Sequence, residues 1–271
     1  MQLRNLLGTD IKESIKKVLV RFRNRNFKPY VVDRTLYQTD FKFYVGDKDG
    51  ESWYVDSSAD ILREHKEWLW LEMEFVKNFI CKEGDIVLEC GGHHGLTAVV
   101  ISKWIGPQGY LYSFEPNPKN QIIMHKNLEI NSIKNVEIVP NAIGSEAGKI
   151  MVSYSNSNSY VLKKKEHNGI EVPVVTADDF INRKPTVIKI DVEGFETEVL
   201  KGAQNLLKTL PKLIIELHPD MMLRYGNSVN DLLLLIDERY KLWVQRDINK
   251  APEPYDRKTP ITQRAHLFAI P

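Results

Sequence analysis

Cysteine is nearly absent from this chain. Cys81 and Cys90 are the only two among 271 residues, which excludes a disulfide framework or a four-cysteine zinc site. Cys90 lies inside a glycine turn and reads as a packing residue in a reduced, cytoplasmic compartment. Charge of one sign is missing too. The 37 Lys and Arg are balanced by 36 Asp and Glu, a formal net charge of +1, so no overall field gathers nucleic acid. No apolar run approaches the ~20 residues a membrane-spanning helix requires. Residues 1–25 lack the apolar core and small-residue cleavage site of a secretory leader. What is left is an ordinary globular composition, with 42% hydrophobic and 27% charged residues.

The organisation changes near residue 80. Residues 1–30 carry eight basic side chains against Asp10 and Glu13, with Leu7, Ile11, Ile15, Val18, Leu19 and Phe22 at helical spacing. This reads first as a capping helix with a solvated basic face; weak contact with an anionic membrane surface is the alternative. Residues 30–56 alternate like strands, at Tyr30–Val32, Phe41–Val45 and Trp53–Val55, and residues 59–80 read as an amphipathic helix. From Asp85 onward strands and helices alternate. Strands are expected near 85–90, 110–114, 135–139, 186–190, 212–218, 240–246 and 264–270, and helices near 95–104, 117–130, 195–208 and 228–238. A hairpin is expected from 149–154 and 170–175. The alternation implies an α/β doubly wound sheet, mostly parallel, with the last pair antiparallel. The division is an N-terminal α+β capping extension, 1–80, and a nucleotide-binding domain, 81–271.

Chemistry concentrates at the strand ends. Val87-Leu88-Glu89-Cys90-Gly91-Gly92-His93-His94-Gly95 is a buried strand running into an acidic residue and a glycine turn. Gly91 and Gly95 have no Cβ and admit a ligand close to the backbone. Tyr112-Ser113-Phe114-Glu115-Pro116 ends a second strand on a carboxylate, suited to the two hydroxyls of a ribose. The spacing Glu89-x-Gly91-x-x-x-Gly95 departs from the dinucleotide fingerprint Gly-x-Gly-x-x-Gly. It suits S-adenosylmethionine, which has no pyrophosphate and carries a sulfonium and an amino group that favour a carboxylate. Asn141 and Ala142, after the third strand, are where an adenine is expected. Val187 to Glu196 is a buried strand ending in Asp191 and Glu193, and Leu213 to Pro219 carries Glu216 and His218 two positions apart, on one side of the next strand.

Taken together, Glu89 to Gly95, Phe114-Glu115-Pro116, Lys189-Ile190-Asp191-Val192-Glu193-Gly194-Phe195-Glu196 and Ile215-Glu216-Leu217-His218 resemble the successive motifs of FkbM-type methyltransferases. The resemblance covers roughly residues 80–218 and, more loosely, the strands that follow. It implies the class I, Rossmann-like S-adenosylmethionine-dependent fold and methylation of hydroxyl oxygens on sugars, polyketides or related metabolites. Gly92-His93-His94 departs from the family's usual Gly-Ala-Asn.

The expected donor site is therefore Glu89, Gly91, Gly92, His93, Gly95, Glu115, Pro116, Asn141, Ala142 and Asp191. The acceptor hydroxyl needs activation. His218 is the first candidate base by residue type, followed by Asp191, with Glu193 beside them; alternatively Asp191, Glu216 and His218 hold a cation such as Mg²⁺. The expected partner is a small-molecule or glycan acceptor, not nucleic acid. Rival readings are a nicotinamide-dependent oxidoreductase on a similar sheet and a non-catalytic subunit that keeps the fold.

Overall fold

The computed structural model describes residues 27–48, 71–154, 158–163 and 169–271. The expected basic helix before residue 26, the strand at Trp53–Val55, the first half of the 59–80 helix, Ser155-Asn156-Ser157 and Lys164-Lys165 lie outside the described residues. Among the described residues no helix is long and apolar enough to cross a membrane.

Strands β1 (Tyr30–Leu36) and β2 (Thr39–Val45) form an antiparallel hairpin. It turns on Tyr37 and Gln38, whose φ values are 52° and 64°. Neither is a residue that favours this geometry, so no turn signal marked it in the sequence. Helix α1 (Leu71–Phe75) continues into a π-helical turn, Val76–Ile80.

The main domain then unrolls as expected: β3 (Ile86–Cys90), α2 (Leu96–Trp104), β4 (Tyr110–Phe114), α3 (Pro118–Ile130) and β5 (Val136–Val139). A separate three-stranded sheet follows, made of β6 (Ala142–Ile143), β7 (Gly148–Ser153) and β8 (Gly169–Val175), with the expected hairpin as β7 and β8. After a 3₁₀ segment come β9 (Val187–Ile190), α4 (Glu196–Lys201), α5 (Gln204–Leu207), β10 (Lys212–Leu217), α6 (Pro219–Met222), α7 (Val229–Leu234), β11 (Lys241–Gln245), β12 (Glu253–Tyr255) and β13 (Ala265–Ile270). The single helix expected over 195–208 is two, broken at Gly202-Ala203, where glycine is a poor helix former.

The eight-stranded sheet has the order β12-β11-β13-β10-β9-β3-β4-β5. Strands β5, β4, β3, β9 and β10 are parallel, and β13 runs antiparallel between β10 and β11. Its central strands β3, β4, β9 and β10 are buried on both faces, as parallel strands covered on both sides must be. Val87, Leu111, Val187, Ile214 and Phe268 point into one core with Phe41, Phe43 and Val99. Their neighbours Leu88, Tyr112, Ile188, Leu213 and Leu267 point into the other.

The connection direction reverses between β3 and β9. The chain leaves β3 toward β4 and β5, then returns to β9 and β10. Such a switch point opens a crevice at the carboxyl ends of the strands.

Candidate active site at the sheet switch point

The crevice is a cleft of about 1120 Å³. Gly91, Gly92, His93, Glu115, Pro116, Asn141, Ala142, Asp191, Glu193 and Glu216 all line it. Glu89, Gly95 and His218 were expected there and are not on its wall.

The glycine loop is held by the ends of the neighbouring strands. Gly91 and Gly92 both donate their N–H to the Phe114 carbonyl, each at 3.0 Å, and the His93 N–H reaches Glu115 Oε2 at 2.7 Å. Gly91 has φ +91°, and a Cβ there would sit 1.8 Å from the Asp191 carbonyl oxygen; one on Gly92 would sit 2.1 Å from Ser113 Oγ. The loop thus lies flat against β4 and the end of β9, which no larger residue permits. Asn127, on α3, braces it from outside: its amide donates to the His94 carbonyl at 2.8 Å and accepts from the Tyr44 N–H at 2.6 Å. The N-terminal hairpin is thereby tied to the loop.

Glu89 works from beneath. It is fully buried, pairing across the sheet with Ser113 on β4 and Lys189 on β9. Its carboxylate accepts from the Ser113 hydroxyl at 2.6 Å and from the Thr97 hydroxyl, with Lys189 Nζ at 3.9 Å. Its hydrogen-bond partners are therefore protein groups that join β3, β4 and the start of α2. Glu115 is the carboxylate on the wall itself. Burial pushes it up to about 8, although the N–H groups of Asn117 and His93 and the Asn120 side chain oppose the shift. Helix α3 begins immediately beyond it, capped by Asn117, whose side chain accepts from the Lys119 N–H at 3.0 Å, with Pro118 in the first turn.

The opposite part of the cleft is acidic. Burial, then the neighbouring Glu216, raise the Asp191 carboxyl, against the pull of Lys189. Glu193 accepts from the Asn158 amide at 3.1 Å. Glu216 pairs across the sheet with His266 on β13; it is bound by Arg264 and faces His266 Nε2 at 3.7 Å. Burial opposes its ionisation, but His266 and Arg264 outweigh that and hold it well below the usual carboxylate range.

His218 sits behind Glu193. Its Nδ1 lies 2.9 Å from Glu196, and Nε2 is 3.8 Å from both Glu193 Oε2 and Glu216 Oε1. Burial disfavours its charge, yet Glu196 and the carboxylates around it carry the imidazole up to about 9. Among the described residues, the three side chains that converge closely enough to share a cation are Asp191, Glu193 and His218. Two of these belong to the expected set of Asp191, Glu216 and His218; Glu216 is instead bound by Arg264 and faces His266.

Sequence reading passed over Glu196, Arg264, His266 and Gln245. Glu196 stood inside the quoted motif without a role. His266 and Gln245, joined at 2.8 Å, come from β13 and β11. Both sat in segments read as strands, but their partners depended on the lateral order of the strands. His93 and His94 stack on each other, ring centroids 4.0 Å apart; His93 lines the cleft, whereas His94 is buried and pushed down to about 4 by that burial. Cys90 is also buried, and its thiol is raised far beyond its ordinary value.

Residues 89–242 match the family model of the methyltransferase FkbM domain. The chain is 28% identical to the hexuronic acid methyltransferase AglP of Haloferax volcanii over 142 residues, which is 51% of this chain and 57% of that protein. It is 24% identical to methyltransferase 1 of Beauveria bassiana, over 49% of this chain and 68% of the other. A crystal structure of methyltransferase FkbM from Methylobacillus flagellatus superposes with a TM-score of 0.50 at 16% identity, covering 97% of this chain and 60% of that one. This last likeness shows the fold, a class I methyltransferase architecture. The chain spans less than two thirds of both AglP and the M. flagellatus protein.

Proposed function

Since the chain belongs to the family of FkbM-domain methyltransferases, we propose that it transfers a methyl group from S-adenosylmethionine to a hydroxyl oxygen of a sugar or related metabolite. Residues 81–271 are the domain that does so. The observation that carries this reading is one cleft with two unlike ends: a glycine loop with Glu115, and an acidic wall of Asp191 and Glu193 with His218 converging on them from behind. A sugar acceptor is favoured by the hexuronic acid relative.

The cleft fits the donor on its own terms. Gly91 and Gly92 line the cleft without side chains, seated so closely on the Asp191 carbonyl and Ser113 Oγ that any Cβ would push the loop out of place, and Glu115 lines the cleft beside them. Glu115 would take the ribose hydroxyls, Gly91 to His93 the amino-acid part, and Asn141 and Ala142 the adenine, which Pro116 flanks. When bound, S-adenosylmethionine supplies a methyl carbon already activated by its sulfonium. The chain's own task is then alignment, which can contribute several kcal/mol, and activation of the acceptor hydroxyl. Asp191 and Glu193 lie on the wall for that purpose. His218, the base expected by residue type, lies behind them and acts through them, oriented by Glu196.

Calorimetry with S-adenosylmethionine, S-adenosylhomocysteine and NAD tests the assignment. Binding of the first two and not the third is expected, and Glu115→Ala should weaken both at least tenfold. Selective NAD binding would overturn the reading. Methyl transfer from labelled donor to uronate and neutral sugar acceptors then tests the chemistry; donor binding without transfer to any hydroxylated acceptor would favour a non-catalytic subunit.

A further inference from the structure

We propose that Asp191, Glu193 and His218 form a site for one divalent cation of the Mn²⁺ type, which would hold the acceptor hydroxyl. This rests on the methyltransferase reading for its purpose, but not for its existence.

The first observation is convergence. One ligand atom from each residue lies within 4.8 Å of the other two. The two carboxylates come from the turn after β9 and the imidazole from the end of β10. The second is the state of His218. The residue is only 7% exposed, and its Nε2 is buried with no hydrogen-bond partner. Its Nδ1 is held at 2.9 Å by Glu196, which is itself fully buried and anchored by the Gly194 N–H at 2.8 Å. A carboxylate on one ring nitrogen is how proteins orient an imidazole whose other nitrogen binds metal. It fixes a proton on Nδ1 and aims Nε2 toward Glu193, where a cation would take the place of any proton on Nε2. Leaving such a buried nitrogen unpaired costs about 1–3 kcal/mol, which a ligand would offset.

The surroundings leave room for little else. Glu216 is committed to Arg264 and His266 and contributes charge rather than a bond. Glu193 spends Oε1 on Asn158 and keeps Oε2 toward His218. The Asp191 side chain is 31% exposed and reaches the cleft, with Lys189 Nζ 3.8 Å away on its other side. Three protein ligands leave coordination positions open for a hydroxyl, which the cation would acidify. The two carboxylates suit Mg²⁺ and Mn²⁺ alike, and an imidazole ligand, more usual on transition metals than on Mg²⁺, favours Mn²⁺ of the two. The mixed set therefore points away from Mg²⁺, the cation that the sequence offered as an alternative to a metal-free base.

The test needs no methyl donor. Metal-stripped full chain is titrated with Mn²⁺ and followed by the loss of the free-ion electron paramagnetic resonance signal. One Mn²⁺ per chain is expected, with nitrogen modulation in the spin-echo spectrum from His218, and a tenfold excess of Mg²⁺ should not displace it. Glu193→Gln should weaken binding at least tenfold, and His218→Ala should abolish the nitrogen modulation. Because His218→Ala removes a buried ring, Glu193→Gln, at a partly exposed position, is the variant that judges the site if the other fails to fold. No binding at millimolar Mn²⁺, binding without nitrogen modulation, or equal affinity in Glu193→Gln would overturn the proposal. Donor binding without Mn²⁺ binding would remove the cation site alone. Mn²⁺ binding without donor binding would leave the site and remove the transferase reading.

Discussion

Gly91→Ala should be among the most damaging single-methyl additions in this protein, and its cost can be separated into parts. Gly91 has φ +91°, and the added Cβ would lie 1.8 Å from the Asp191 carbonyl oxygen and 2.9 Å from its carbon. Positive φ costs an L-residue about 1–2 kcal/mol. Relieving the clash means moving the turn after β9, whose Asp191 N–H is bonded to the Cys90 carbonyl at 2.9 Å. Overpacking of that kind adds about 1–3 kcal/mol, and losing the hydrogen bond about 1 kcal/mol more.

Two other glycines serve as controls. Gly226 has φ +79° with nothing within 4 Å of a Cβ, and Gly148 has open space without positive φ. Gly226→Ala should therefore lose about 1 kcal/mol, and Gly148→Ala should be neutral or gain slightly, because alanine restricts the unfolded chain. Gly91→Ala should lose about 3–6 kcal/mol, the sum of its parts. Equilibrium urea denaturation of the three variants reads this order directly. If Gly91→Ala cost no more than Gly226→Ala, the loop would not be seated against Asp191 as described, and the cradle argument for the donor would go with it.

Other expectations concern the same loop. Glu115 is raised to about 8, so at pH 7 its carboxyl is largely protonated in the free protein, and ribose hydroxyls would favour its ionised form; calorimetry in two buffers of different ionisation enthalpy should show a proton released on donor binding near pH 7, and none released would refute the assignment. By the same linkage, its raised value favours the folded state most below its ordinary value of 4.5, and that contribution disappears as pH climbs through about 8. Ser113→Ala withdraws one donor from the fully buried Glu89 and should lower stability by about 1–3 kcal/mol, seen as a reduced thermal midpoint; an unchanged midpoint would mean that Glu89 does not depend on Ser113. Asn127→Ala frees both the Tyr44 N–H and the His94 carbonyl. It should weaken donor binding as well as stability, and a stability loss with donor affinity intact would show that the hairpin does not brace the loop.

The local pattern of this chain was sufficient to place its strands, because apolar runs bounded by glycine and acid can do little else in an α/β domain. The carboxylates at the ends of β3, β4, β9 and β10 were legible for the same reason: a parallel sheet exposes its carboxyl edge at the switch point. The π-helical turn before β3 fell within the helix expected over 59–80, but β6 was not anticipated and β12 lies in the Pro-rich stretch 251–260, which reads as a loop.

Partnership was different. Glu89 looked like a donor contact, yet the register sets Ser113 and Lys189 on either side of it, and its hydrogen bonds hold the loop together from below. His218 read as the first candidate base by residue type, and Glu216 as its possible companion on a cation. The insertion of β13 between β10 and β11 puts His266 directly across from Glu216, while α4 delivers Glu196 to the His218 ring. Periodicity along one strand settles which face and which end a side chain occupies. What lies beside it depends on the lateral order of strands distant in sequence, and only the assembled sheet decides that.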